Sequence, residues 1–168
     1  MKITPIGVVH SPHSSTERTP IQPRFARGLS GTAEIEPRFS EGLQDLEGFS
    51  HLWLVTWLHR STDVRLHVMP YLDDTPRGVF ATRSPHRPNP IGLSLVRLLA
   101  VEGNILRLAD LDVLDGTPLL DVKPYFPDFD QRAGARCGWY EAVDPEARRT
   151  RGRRGGPHGG TGPSPGDR

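Results

Sequence analysis

The sequence predicts a mostly β fold, and three observations carry that prediction. First, 18 glycines and 17 prolines stand among 168 residues. Inside a helix Gly costs about 1 kcal/mol and Pro about 3, so a coiled coil or a long-helix bundle is excluded. Second, short apolar runs bounded by turn residues recur along the chain, as they do in strands. Third, few segments keep a 3.6-residue apolar period for three turns, and the helical spacers of a doubly wound sheet are missing. The length suits one domain.

The elements follow in chain order. Residues 3–9 read as a first strand, and residues 31–36 (GTAEIE) as a second with Ala33 and Ile35 on one face. Between them, residues 11–29 are polar and Pro-punctuated, long enough to be mobile or to belong to a site. Residues 40–46 (SEGLQDL) form one or two helical turns with Ser40 as N-cap and Leu43 and Leu46 facing the core. The run 49–58 (FSHLWLVTWL) is apolar on both faces, as a central strand is. Trp53 and Trp57, four apart, share a face suited to core or dimer packing, and His51 reads as a near-core histidine.

Residues 63–68 alternate like a half-buried or edge strand, and residues 79–82 read as another short strand. Residues 92–101, the turn Glu102-Gly103-Asn104 and residues 105–113 make a hairpin. On its second arm Ile105, Ala109, Leu111 and Val113 share one face, and Leu106, Leu108, Asp110 and Asp112 the other. A face that begins apolar and ends in carboxylates suggests a strand leaving the core for a solvated site.

Charge divides the chain. The last 23 residues, 146–168, hold six Arg against two acids, with seven Gly and no apolar residue larger than Ala147. Such a segment cannot offset its own ordering entropy, so a disordered basic tail is expected there, beside a slightly acidic body over 1–145. The single cysteine, Cys137, excludes an internal disulfide, and the seven histidines lack zinc-type spacing. No apolar run approaches a membrane span or a signal peptide, so a soluble, cytoplasmic protein without metal is expected.

Two phrases carry chemistry. In GVFATRSPHRPNPIG (78–92) three prolines stiffen a loop bearing Arg83, His86, Arg87 and Asn89. Because Pro fixes its own φ and restricts its predecessor, the loop holds those groups in set directions, for a ligand or for surface ion pairs. In LDVLDGTPLLDVKPY (111–125), Asp112, Asp115 and Asp121 crowd a turn. They suit a cation, a ribose diol or an amine, and equally a solvated rim.

These phrases, with EGFSHLWLVTWLHRS (47–61), closely resemble the TsaA-like (TrmO) family over roughly residues 3–130. The resemblance implies a small β-barrel-like domain, a homodimer, and S-adenosyl-L-methionine bound without a Rossmann sheet. It also implies methylation of N6 of threonylcarbamoyladenosine beside the tRNA anticodon. Residues carried over to the cofactor pocket are Gln22, Pro23, Arg24, His59, Arg60, Arg83, Leu93, Leu114, Asp115, Gly116 and Thr117. Arg83 then suits the cofactor carboxylate, because its planar fork donates two parallel hydrogen bonds. Asp112 or Asp115 accepts from the ribose or amino group, and the Gly116 and Thr117 N–H groups meet a polar edge. Arg87 is the candidate to stabilise a developing anion, and His86 or a carboxylate to take the proton. A small-molecule methyltransferase and a nonenzymatic cofactor- or RNA-binding module are the alternatives.

Overall fold

A computed structural model describes residues 2–151. Six antiparallel strands close into a barrel: β1 (Gly7–His10), β2 (Ser30–Ile35), β3 (His51–Trp57), β6 (Ile91–Glu102), β7 (Ile105–Ala109) and β8 (Thr117–Pro124). Around the barrel the order is β1-β2-β7-β6-β3-β8, with β8 returning to β1. A separate two-stranded ribbon, β4 (His67–Val68) and β5 (Arg77–Gly78), projects from the long β3–β6 connection. Closure pairs every barrel edge, which is how a small sheet avoids an open ladder.

The interior follows strand alternation. Val9, Ala33, Ile35, Leu52, Leu54, Val96, Leu106, Leu108, Leu111 and Leu119 make one buried cluster. On β3 the inner row is Leu52, Leu54 and Thr56, while His51, Trp53, Val55 and Trp57 are half-buried on the outer face. The run is therefore inside-out alternating rather than apolar on two buried faces, because a barrel strand has only one interior. His51 lies outside the core, bonded to the Ser50 hydroxyl and edge-on to Tyr125.

Where β1 meets β2, a β-carbon at Gly31 would lie 2.2 Å from the His10 carbonyl oxygen. Only glycine lets the two backbones approach that closely.

Several expectations need correction. The first strand begins at Gly7, not residue 3. Of 63–68 only His67 and Val68 are strand, and 79–82 is a 3-10 turn over Val79–Ala81. Ser40 sits inside a 3-10 helix that starts with Pro37, and its hydroxyl donates back to the Pro37 carbonyl instead of capping. Pro at the first helical position already fixes that start.

The second hairpin arm ends at Ala109, because Asp110 turns left-handed with φ 66°. That turn resets the alternation: Leu111 and Val113 join Leu106 and Leu108 in the core, contrary to the faces expected from an unbroken strand. The last barrel strand, β8, follows directly on the Asp-Gly turn of the carboxylate-bearing phrase 111–125.

The structured part also runs past residue 145. Two short α-helices follow β8, α1 (Pro127–Asp130) and α2 (Pro145–Thr150), and α2 is capped by the Asp144 carboxylate, which accepts from the Glu146 and Ala147 N–H groups. Arg148 stacks 4.8 Å over Tyr140 and donates to the Glu141 and Val143 carbonyls. A Pro at the first turn and an Asp cap start this helix where composition alone suggested only tail. The expected disorder of 152–168 lies outside the described residues.

Candidate cofactor and nucleophile site at one end of the barrel

Antiparallel topology decides where the two phrases meet. β1, β3 and β7 run toward one end of the barrel, and β2, β6 and β8 begin there. Hence the 11–29 loop, the 58–90 excursion and the 110–116 connection, far apart in sequence, all emerge at that end. Every residue carried over from the resemblance lies on these three segments or on the first turns of β6 and β8.

Arg83 and Gln22 meet directly: an Arg83 Nη1–H donates to Gln22 Oε1 at 2.5 Å. Gln22 precedes a 3-10 turn, Pro23–Phe25, that packs against β6 and leaves Arg24 exposed. The 58–61 segment is tied to the Pro-rich loop twice. The Leu58 N–H donates to the Pro90 carbonyl at 2.7 Å, and the Ser61 hydroxyl to the Pro85 carbonyl at 2.9 Å. Leu93, on the outer row of β6, is half-exposed beside Val55.

At His59, burial first and the neighbouring Arg60 charge second push the imidazole below its usual pKa, which favours the neutral ring. Arg60 Nε–H donates to His59 Nε2 at 3.3 Å, which leaves the proton on Nδ1. That Nδ1 is buried without a hydrogen-bond partner among the described residues, as is the Thr56 hydroxyl oxygen. An unmade hydrogen bond on a buried polar group is costly, on the order of 1–3 kcal/mol, unless a ligand completes it. A polar small molecule with a carboxylate, amine and ribose fits these unmet groups and the exposed Arg83 guanidinium.

The Asp115-Gly116-Thr117 turn is built as a turn requires, with Gly116 left-handed at φ 73°. Its N–H groups do not face outward. Gly116 N–H donates to the Val9 carbonyl at 2.9 Å and Thr117 N–H to the Leu114 carbonyl at 3.3 Å. The expectation that they meet the ligand is corrected, because closing β8 onto β1 consumes the Gly116 N–H and the turn itself consumes the Thr117 N–H. Asp115 instead accepts the Ser11 N–H at 3.1 Å and stands 3.5 Å from His10 Nδ1. His13, not singled out beforehand, is buried and bonds the Leu111 carbonyl, pinning the 11–29 loop to the 110–116 connection.

Arg87 is also differently employed. Its Nη1 donates to the Thr82 carbonyl at 2.9 Å and lies near those of Val79 and Ser84 at 3.4 and 3.3 Å. An arginine holding the carbonyls of its own loop is a staple, and that curl is what presents Arg83. His86 Nδ1 is 2.5 Å from Asp63 Oδ1, while Arg65 holds the other Asp63 oxygen. Partial desolvation pushes the Asp63 carboxyl up, but these hydrogen bonds outweigh it and hold it below its usual range.

Asp112 is the electrostatic exception. Its carboxyl accepts the buried Ser94 hydroxyl at 2.6 Å. Burial pushes it up to about 6 against the opposing Ser94 bond and the Arg83 charge. Ser94 and Thr56 gave no signal in the sequence, since nothing in an apolar alternation marks which small polar residue lines a barrel mouth. Among the described residues no group of His, Cys, Asp or Glu is arranged to hold a metal, and no helix is long and apolar enough to cross a membrane.

Residues 8–131 match the family described as tRNA-methyltransferase O N-terminal domain. The chain belongs to the TrmO family. It is 54% identical over 137 residues to the "Probable S-adenosyl-L-methionine-binding protein" of Pyrococcus abyssi, covering 82% of this chain and 74% of that protein. It is 38% identical over 133 residues to the human tRNA (adenine(37)-N6)-methyltransferase, covering 75% of this chain and 30% of that one. The crystal structure of TrmO from Pseudomonas aeruginosa superposes with a TM-score of 0.71 at 41% identity, over 86% of this chain and 63% of that chain. The TrmO-family chain thus spans under two thirds of the solved relative and about a third of the human one. The barrel expected from the family phrases is the one observed.

Proposed function

We propose that this protein is an S-adenosyl-L-methionine-dependent methyltransferase acting on N6 of adenosine in tRNA, with threonylcarbamoyladenosine beside the anticodon as the substrate nucleoside. One observation carries the reading: three family-specific phrases, distant in sequence, converge on one barrel end, where Arg83 is exposed and, among the described residues, His59 Nδ1 and the Thr56 hydroxyl are buried without a partner. When bound, the cofactor supplies a methyl group on a sulfonium. Arg83, positioned by Gln22 and by the Arg87-stapled loop, holds its carboxylate. His59 Nδ1–H and the Thr56 hydroxyl complete their hydrogen bonds on its polar groups, and Asp115 accepts from its amine or ribose. Pro23, Arg24, Arg60, Leu93, Leu114, Gly116 and Thr117 shape the walls around these contacts.

In-line methyl transfer demands alignment of nucleophile and leaving group more than new chemistry from the protein. The three loops are cross-braced by the bonds described above, so that alignment is set before the substrate arrives. A homodimer in the cytoplasm belongs to the same proposal. Phe80, Leu66 and Val64 are 74%, 64% and 57% exposed on the segment that leads into Arg83, where a second copy would cover them. The test is incubation with methyl-labelled cofactor and bulk tRNA, with and without the threonylcarbamoyl group. Label entering only the modified tRNA is the expected result. Cofactor binding without transfer to RNA would point to a small-molecule substrate, and no binding to a nonenzymatic module.

A further inference from the structure

We propose that Asp112 is the proton acceptor of the methyl-transfer step, held in place by the Ser94 hydroxyl at the mouth of the barrel. The inference deepens the methyltransferase reading and rests on it. An adenine amine carrying a carbamoyl group is a poor nucleophile until its N–H is lost, so the site needs a base within reach of that nitrogen.

The position of Asp112 follows from the backbone. The left-handed turn at Asp110 resets the side-chain alternation, so Leu111 and Val113 fill the core and Asp112 between them turns to β6. There it meets Ser94, which stands on the inner row of β6 with Val96 and faces Leu54 across the ladder. The residue is partly exposed, while its carboxyl sits among protein atoms deeply enough that burial is the largest influence on it.

The carboxylates of Asp63, Asp110 and Asp115 are already engaged. Asp63 is shared by Arg65 and by His86, whose Nδ1 it occupies. Asp110 holds Arg97 and the Gly28 N–H. Asp115 holds the Ser11 N–H and faces His10. Asp112 has no Lys, Arg or His in ion-pair contact among the described residues; Arg83 is the one charged group acting on it, from a distance. A buried carboxylate whose hydrogen bonds do not offset its desolvation, and which no cation contacts, keeps its proton affinity, as a general base requires.

The step balances. The N6–H bond breaks and its proton passes to an Asp112 carboxylate oxygen. The nitrogen pair forms the N6–methyl bond as the methyl–sulfur bond breaks, its pair returning to sulfur. A carboxylate and a sulfonium become a carboxylic acid and a thioether, so no further reactant is needed.

The test uses the full chain and four readouts. Wild-type transfer to modified tRNA is measured first; if there is none, the methyltransferase reading fails and not this assignment alone. Given wild-type transfer, Asp112→Asn lowers the single-turnover rate 100-fold or more while its cofactor Kd stays within threefold. A rate within threefold of wild type would overturn the proposal. Carbon-13 NMR titration of the free protein finds the Asp112 carboxyl titrating near 6, and Ser94→Ala, which removes the donor to its ionised form, moves that titration upward. The acidic limb of the pH–rate profile moves with it. Should Asp112→Asn fail to fold, Ser94→Ala decides: a rate limb that stays put while the carboxyl titration shifts would overturn the proposal.

Discussion

Arg83 and Gln22, 61 residues apart, are joined by a hydrogen bond of 2.5 Å from guanidinium to amide oxygen. The bond ties the Pro-rich loop to the loop after β1 through one donor of the exposed arginine. Arg83→Ala therefore weakens cofactor binding about 10- to 100-fold, the loss expected for a charge-assisted pair. Gln22→Ala weakens it only about threefold, because the cation remains. Arg83→Lys does not restore affinity, since a point charge lacks the fork. Titration calorimetry with the cofactor reads all three, and full-strength binding by Arg83→Ala would remove the carboxylate role.

The parts legible in the sequence are those set by local rules. The hairpin read over 92–101 and 105–113 is fixed by alternation and a Glu-Gly-Asn turn, and both arms form, the second stopping at Ala109. The Arg83 loop and the Asp115-Gly116 turn stand out because Pro and Gly leave the backbone few alternatives. What stayed hidden depends on partners distant in the chain. Ser94 and Thr56 matter only once β6 and β3 are side by side, and Gly116 N–H is consumed by Val9, more than a hundred residues earlier. Val79–Ala81 has strand-like composition yet curls, because Arg87 gathers the carbonyls of Val79, Thr82 and Ser84.

Asp110 links three segments through one carboxylate: it accepts Arg97 Nε–H at 2.7 Å and Gly28 N–H at 2.8 Å. The Arg97 hydrogen bond, more than partial burial opposes it, holds the carboxyl below its usual range. A depressed carboxylate pKa means the folded state binds fewer protons than the unfolded one. The contribution is complete above the unfolded value near 4 and is lost as pH falls through the folded value. Asp110→Ala costs about 1–2 kcal/mol at pH 7 through the lost bonds and the left-handed backbone. Asp110→Asn costs less, since Asn tolerates that conformation. Urea unfolding at pH 7 and pH 3 reads both, with the difference from wild type shrinking at pH 3.

The segment after β8 is fastened to the site through Trp139, whose indole N–H donates to the Ala81 carbonyl at 2.7 Å, two residues before Arg83. Arg77 stacks 5.8 Å over the same ring. Trp139→Phe keeps the ring and removes the donor, so the curl that presents Arg83 loosens and cofactor affinity falls about threefold to tenfold. Asp144→Ala acts one step further out. It removes the cap of α2 at a cost of about 1 kcal/mol. Amide exchange then quickens over residues 145–151 while cofactor affinity is unchanged. Equal affinity losses in both variants would mean that α2, rather than the Trp139 bond, supports the loop.

The exposed apolar side chains near the site make the dimer testable together with the cofactor. The Val79 N–H donates to the Leu66 carbonyl at 2.9 Å, which joins the backbone at Leu66 to the turn that carries Phe80, three residues before Arg83. Fully burying a Leu or Phe side chain is worth about 1.5–3 kcal/mol, and a two-fold interface counts each substitution twice. Phe80→Glu with Leu66→Glu therefore shifts the equilibrium to monomer at micromolar concentration, read by sedimentation velocity. Because Arg87 lies 5.7 Å over the Phe80 ring, the single Phe80→Glu variant also gives that guanidinium an anion to pair with. A dimer that persists in the double variant would place the contact elsewhere on the barrel. A monomer that binds cofactor with unchanged Kd would show that each barrel end is complete on its own.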